Sequence, residues 1–366
     1  MSDSKKYKFL FAGGGTGGHL YPAIAVADMI KKLKPEAEIL FVGTKDKIES
    51  KVVPQKGYNF KPITISGFSR RLTLKNLLFP FKLVIGLIQS FLINLKFNPS
   101  VAVGTGAYVS GPAVWTASLT GSKVMLLEQN SYPGVTNRLL EKSADEIHLS
   151  FEDARNYFRY QNKIQITGNP IRIDLELSDK DSAKKKLNLN ADKKVLLIVG
   201  GSLGAGSVNE AVAENIENFI NSDIQIIWQT GQHYYEKYQK YNSDKIKIMP
   251  FIDDVALCYS AADLVVARAG ATTIAETALL GLPVIFVPST NVAENHQYKN
   301  AKSLENESAA YLLTDDKVKE KIFDKVNDLI FDDEKLELYK KNIKSFSKPD
   351  AVKNIAENAI RLAEMK

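Results

Sequence analysis

Cysteine is nearly missing: Cys258 is the only one in 366 residues. A single thiol closes no internal disulfide and builds no multi-cysteine metal site. A reducing compartment is therefore expected, with Cys258 as a small apolar residue in or near a core. No secretory leader is expected either, because Lys5 and Lys6 are followed only by Tyr7–Ala12 before a run of glycines. Acid is missing from one long stretch. Between Glu49 and Glu128 there is none, while Lys51, Lys56, Lys61, Arg70, Arg71, Lys75, Lys82, Lys96 and Lys123 all fall there. Against a net charge of only +6, that one-sign region points to an anionic surface as neighbour. The expected surface is a membrane; nucleic acid is not among the expected partners.

Two nucleotide signatures are also lacking. No glycine loop ends in Gly-Lys-Ser/Thr, so there is no Walker pattern. Gly13, Gly15 and Gly18 satisfy G-x-G-x-x-G, but the strand read at Ile39–Val42 runs into Gly43-Thr44-Lys45. The acid that would hold a dinucleotide ribose is missing from its place, which argues against a nicotinamide-dependent oxidoreductase.

What is present is a plan used twice. An apolar strand, Lys8–Ala12, leads into Gly13-Gly14-Gly15-Thr16-Gly17-Gly18-His19 and a helix over Leu20–Leu33. Further strands are expected near Glu38–Val42, Ser100–Val103, Lys123–Leu127, Glu146–Leu149 and Lys163–Ile166. Gly104-Thr105-Gly106-Ala107-Tyr108 would lie at the same sheet edge as the first loop. Thr167-Gly168-Asn169-Pro170 reads as a hinge, followed by lysine-rich sequence. Then Lys194–Val199 starts the plan again with Gly200–Gly206, and strands follow near Ile224–Trp228, Ile246–Met249, Leu264–Ala267 and Val284–Val287. The fold class is α/β: two Rossmann-like, doubly wound parallel-sheet domains facing across a cleft. Domain limits are expected at 1–168 and 169–348, with a last helix over 349–366.

Glycine loops opening helices are places to hold anions, because free N–H groups and the helix dipole meet there. The loop at Arg268-Ala269-Gly270-Ala271-Thr272-Thr273 has the same form. Its plainer reading is a capping box between Thr273 and Glu276. Asp179-Lys180-Asp181 is a formal D-x-D metal pattern, but it lies in the polar linker and reads as solvated surface. No His/Cys/Asp/Glu cluster has metal-ligand spacing, so no metal and no cofactor are expected.

In this order the motifs resemble the MurG family of bacterial N-acetylglucosaminyltransferases. The matching pieces are Gly14–His19, Gly106–Pro112, Glu128-Gln129-Asn130, Gly168–Arg172, Gly200–Ala205, Phe251–Asp254, Arg268–Thr272, Glu276 and His296-Gln297. The resemblance implies the two-domain GT-B fold, with the last helix returning to the first domain. It implies transfer of N-acetylglucosamine from UDP-N-acetylglucosamine to the C4 hydroxyl of a lipid-linked muramoyl-peptide, with inversion and without metal. It also implies donor contacts from Thr16, Gly17, Gly18, Asn130, Arg172, Ser202, the Ile252 backbone, Ala271, Thr272, Thr273, Glu276 and Gln297. The acceptor pyrophosphate is implied near Gly14, Gly15, Gly104, Gly106 and Tyr108. Two departures stand out: Leu203 where many members have glutamine, and Leu127 where some have histidine. Other GT-B enzymes, a diacylglycerol glycosyltransferase or a UDP-sugar epimerase, are the nearest alternatives; a noncatalytic nucleotide- or membrane-binding module is a more distant one.

Such a reaction needs a base for the attacking hydroxyl and donors for the leaving diphosphate. His19 is the first candidate base and Glu128 its rival. His296 stands beside Gln297; His148 and His233 read as ordinary polar positions. Leu72–Leu95 is almost wholly apolar, but Pro80 and Lys82 argue against a membrane span. A peripheral docking segment is expected at the cytoplasmic face of the cell membrane. It comprises Arg70, Arg71, Leu72, Leu74, Lys75, Leu77, Leu78, Phe79, Phe81 and Lys82, and the residues after it are expected to pack as a buried helix up to Leu95.

Overall fold

Short apolar runs that are buried on both faces form parallel strands, and this chain has two sets of them. The computed structural model describes residues 7–67, 79–172, 175–201, 203–290, 292 and 295–366. The chain divides into two compact units, with boundaries at 173/174 and 347/348.

The first unit holds β1 (Lys8–Ala12), β2 (Glu38–Gly43), β3 (Asn59–Pro62), β4 (Val101–Gly104), β5 (Lys123–Glu128), β6 (Glu146–Leu149) and β7 (Ile164–Ile166). Every neighbouring pair is parallel, in the order β3-β2-β1-β4-β5-β6-β7. Side chains alternate across the sheet as a period of two demands. Phe9, Phe11 and Phe41 pack with the Gly17–Leu33 helix on one face; Leu10, Leu40 and Leu126 pack with the Ala107–Leu119 helix on the other. The Ala351–Glu364 helix closes the first face with Val352, Ile355, Ala356 and Ala359. It is pinned there by Tyr7, whose hydroxyl donates to Glu364 at 2.8 Å, and by an ion pair of Arg361 with Glu146.

The second unit holds β8 (Lys194–Val199), β9 (Ile224–Gln229), β10 (Ile246–Met249), β11 (Leu264–Ala267), β12 (Val284–Phe286) and β13 (Tyr311–Leu312). Its order is β10-β9-β8-β11-β12-β13, again all parallel. Trp228, Phe219 and Ile198 lie in its core. Cys258 is buried, and burial pushes its thiol up to about 12. Each unit is a doubly wound parallel-sheet domain, as expected.

Three local expectations need correction. The first helix starts at Gly17, not Leu20, so His19 belongs to its first turn. Thr273 and Glu276 form no capping box, because the helix there is Ala271–Leu280 with Gly270 at its N-cap and no side-chain cap. The sequence from Phe81 to Leu95 lies in the Phe79–Phe97 helix, but that helix is not buried. Its buried residues are Gly86, Ser90 and Asn94, four apart on one stripe. Asn94 donates to the Ala113 carbonyl at 3.0 Å and to Thr116 Oγ1 at 2.8 Å, holding the stripe on the Ala107–Leu119 helix. Asp179, from the D-x-D pattern, is an N-cap; its carboxylate accepts from the Ser182 amide at 2.8 Å.

Candidate functional site

In each sheet the winding reverses once, and loops after the two strands at that point border one crevice. In the first unit the strands are β1 and β4, with Ala12 beside Gly104. Two contacts clasp their loops together. The Thr105 hydroxyl donates to the His19 carbonyl at 2.8 Å, and His19 Nδ1 lies 2.8 Å from the Thr105 carbonyl. Gln129 Oε1 lies 3.2 Å from the same nitrogen. Both partners of Nδ1 are oxygen acceptors, so the neutral ring carries its hydrogen on Nδ1 and its lone pair on Nε2. The clasp is close enough to require glycine twice. A Cβ on Gly13 would fall 1.8 Å from Thr105 Oγ1, and one on Gly106, at φ +94°, would fall 2.9 Å from the His19 ring.

His19 stands beside an anion-seeking helix end. Among the described residues no side chain caps the Gly17–Leu33 helix and no acid stands in its first turn. Thr16 is its N-cap, and the Gly17 and Gly18 amides lie at its positive end. Arg172 is close enough for its charge to act on Tyr21, whose hydroxyl is pushed up by burial. Gly104 is part of β4 and packs against Leu126 and Val114. Burial, with the charges of Asp46 and Glu49, raises the Tyr108 hydroxyl. The Gly15 amide donates to Glu49 at 2.9 Å.

Glu128 ends β5 and is only 2% exposed. Its Oε1 accepts from the Asn130 amide at 3.1 Å and the Asn130 side chain at 3.4 Å; Oε2 accepts from the Gly134 amide at 3.0 Å and Asn137 at 2.9 Å. Burial pushes its carboxyl above the ordinary range, opposed by those hydrogen bonds. Donors therefore surround both oxygens, and the group organises the turn that carries Asn130.

In the second unit the reversal lies between β8 and β11, with Val199 beside Ala267. The Gly200–Ala205 loop and the Arg268–Gly270 loop follow those strands. Ser202 lies outside the described residues; Leu203 is 76% exposed. Arg268 donates to Asp315 at 2.6 Å, to Ser207 at 2.6 Å and to the Val287 carbonyl at 3.0 Å. Buried Asn300 donates to the Ala269 carbonyl at 3.3 Å. Ala271 is buried and Thr272 and Thr273 are half-buried, at the uncapped start of the Ala271–Leu280 helix. Glu276 accepts from the Tyr259 hydroxyl at 3.0 Å, and Gln297 Oε1 accepts from the Ser289 amide at 2.8 Å. The Ile252 amide donates to Gln229 Oε1 at 3.2 Å, while Gln229 Nε2 donates to the Gly201 carbonyl at 2.9 Å. Gln229 thus ties the glycine loop to Ile252. Sequence reading passed over it, and its one signal is a polar residue ending an apolar strand. His148 is buried and pairs with Glu146 at 3.0 Å.

A second feature of the first unit is an apolar face. Phe81, Val84, Ile85, Ile88, Phe91, Leu92 and Leu95 of the Phe79–Phe97 helix are exposed, as are Trp115 and Leu119 of the helix packed against it. By length and composition the Phe79–Phe97 helix could cross a membrane. Phe79 and Lys82 are half-buried. Arg70, Arg71, Leu72, Leu74, Lys75, Leu77 and Leu78 lie outside the described residues.

Family models match both units: the glycosyltransferase family 28 N-terminal domain over residues 9–149 and its C-terminal domain over residues 195–355. The chain belongs to glycosyltransferase family 28. Relatives match it along nearly its whole length. The UDP-N-acetylglucosamine--N-acetylmuramyl-(pentapeptide) pyrophosphoryl-undecaprenol N-acetylglucosamine transferase of Flavobacterium psychrophilum is 44% identical, over 98% of this chain and 99% of its own. The enzyme of the same name from Christiangramia forsetii is 42% identical, over 98% of each chain. Among solved structures, MurG of Acinetobacter baumannii has a TM-score of 0.74 at 24% identity, covering 97% of this chain and 99% of its own, which shows the shared fold. This chain is therefore a UDP-sugar glycosyltransferase.

Proposed function

We infer that this protein transfers N-acetylglucosamine from UDP-N-acetylglucosamine to the muramoyl C4 hydroxyl of an undecaprenyl-pyrophosphoryl-muramoyl-peptide, the glycosyl step of peptidoglycan precursor synthesis. The observation that carries this substrate pair is the end-to-end match, 44% identity over 98% of the chain, with a relative bearing that name. The hydroxyl oxygen bonds to the anomeric carbon, the bond to UDP breaks, configuration inverts, and the hydroxyl proton goes to His19 Nε2. His19 is preferred to Glu128 because its tautomer is fixed with Nε2 as acceptor, whereas donors surround the Glu128 carboxylate. Gly17 and Gly18 amides, with Thr16, Asn130 and Arg172, serve a ligand's phosphates from the first unit. In the second unit, Ser202 and the Ala271–Thr273 helix start take the donor diphosphate. Glu276 takes the ribose hydroxyls, Gln297 the sugar, and Ile252 the uracil. Gly106 and Tyr108 border the acceptor side. Transfer of labelled N-acetylglucosamine from its UDP donor to a lipid-linked acceptor tests the reading; no transfer with both substrates saturating would remove it.

The exposed apolar face fits a membrane-bound acceptor. Packing the small, polar stripe of the Phe79–Phe97 helix inward turns its large apolar side chains outward. Such a helix lies in the interface plane rather than across the bilayer. With Lys82, and with Arg70, Arg71 and Lys75 upstream, it is suited to an anionic leaflet. The enzyme therefore works peripherally, on the cytoplasmic face where UDP-sugars are found.

Two substitutions probe the assignments. Glu128→Gln turns an amide NH2 toward donors, and the first unit is expected to lose about 1–3 kcal/mol. Its turnover should fall far less than that of a His19 variant. Unchanged stability with an equally large loss of turnover would instead make Glu128 the base. Gln229→Leu frees the Ile252 amide and the Gly201 carbonyl together. The donor KM should rise roughly tenfold, the worth of about 1.4 kcal/mol, with the acceptor KM unchanged. An unaltered donor KM would show that Gln229 does not set the uracil contact.

A further inference from the structure

The Gly13–Gly18 loop already contains an anion of its own. Glu49 is 1% exposed, although it begins a surface helix, Glu49–Gln55. Its Oε2 accepts from the Gly15 amide at 2.9 Å, and its Oε1 from the Thr44 amide at 2.9 Å and the Thr44 hydroxyl at 2.7 Å. The carboxylate fills the space a side chain on Gly14 would take, since a Cβ there would fall 2.4 Å from its carbon. A chain of contacts therefore runs from Gly15 through Glu49 to Thr44, and it ties the end of β2 to the first glycine loop.

This arrangement changes what the loop can bind. A phosphate at Gly14 and Gly15 would meet a buried negative charge in van der Waals contact, and the Gly15 donor is already engaged. The Gly17 and Gly18 amides, at the helix end beyond Thr16, have no such competitor among the described residues. We propose that Glu49 is a positioning residue for the acceptor side of the reaction. It occupies the Gly14–Gly15 half of the loop and, held by Thr44, sets the path of the chain into His19. The acceptor pyrophosphate is thereby confined to the Gly17–Gly18 half. The proposal rests on the glycosyl-transfer reading above.

The test compares full-length wild type, Glu49→Gln and Thr44→Val with UDP-N-acetylglucosamine and a lipid-linked acceptor, normalised to sites that bind UDP. Glu49→Gln forces an NH2 against one of two backbone N–H groups. Its kcat/KM for acceptor should fall roughly 10- to 100-fold, as for a lost hydrogen bond to a charge, with the donor KM unchanged. Thr44→Val keeps the Gly15 bond and should give a smaller loss on the acceptor side alone. A purely structural role would lower the number of UDP-binding sites and leave both KM values as they are; that result overturns the proposal. Equal changes in donor and acceptor KM, or wild-type kinetics in both variants, overturn it as well. Absence of transfer by the wild type would instead defeat the parent reading. Should Glu49→Gln fail to fold, Thr44→Val decides alone: no acceptor-side loss sinks the proposal.

Discussion

His19→Ala is expected to lower kcat by roughly 10²–10⁴-fold, the usual worth of a general base, while donor affinity stays near wild type. The reason is geometric. The Thr105 carbonyl takes the Nδ1 hydrogen, so Nε2 is the nitrogen that can receive a proton from an attacking hydroxyl. Alanine removes that nitrogen and little of the donor site, most of which is assigned to the other unit. Turnover and UDP-N-acetylglucosamine affinity should be measured separately, the latter by calorimetry. Near-normal turnover would take the base role from His19. His19→Gln adds a finer test, because its amide can still donate to Thr105 and hold the two loops together. If it is as inactive as His19→Ala, proton transfer is what was lost; recovery of most activity would point to loop positioning instead.

The second large effect is expected at the membrane. Ile88→Asp combined with Leu92→Asp should lower partition onto anionic vesicles by roughly 10²–10⁴-fold. Each side chain contributes about 1.5–3 kcal/mol when fully buried in an apolar phase. Both are exposed in the folded protein, so stability should change little. Transfer to a soluble, short-chain acceptor should remain, while transfer to acceptor in vesicles should collapse. Unchanged sedimentation with vesicles would remove the docking surface from the Phe79–Phe97 helix.

The sequence announced most of the strands because β1, β5, β8 and β11 are buried on both faces and therefore run apolar. It gave little sign of β3 and β13. The first is an edge strand whose residues include Lys61 and Pro62, as exposed edges favour, and the second has two residues. The helix start at Gly17 was hidden because glycine is a poor helix former and no acid follows Thr16 in the first turn. The Phe79–Phe97 helix reads as buried from its sequence for a physical reason. Apolar residues outnumber the rest, yet the stripe that packs is Gly86, Ser90 and Asn94, which lets two helices approach closely. Glycine loops were legible as motifs. What fills them was not, since Glu49 and Gln229 act over distances in sequence that no spacing rule connects.

The Ala351–Glu364 helix has a consequence for the order of biosynthesis. It covers one face of the first sheet, yet its codons come after those of the whole second unit. On the ribosome the first unit must wait with Phe9, Phe11 and Ile30 incompletely covered while residues 174–347 are made. Domains generally mature in the order of translation; here the first to emerge is the last to be completed. The first unit thus acquires its final helix only after the second unit has been made.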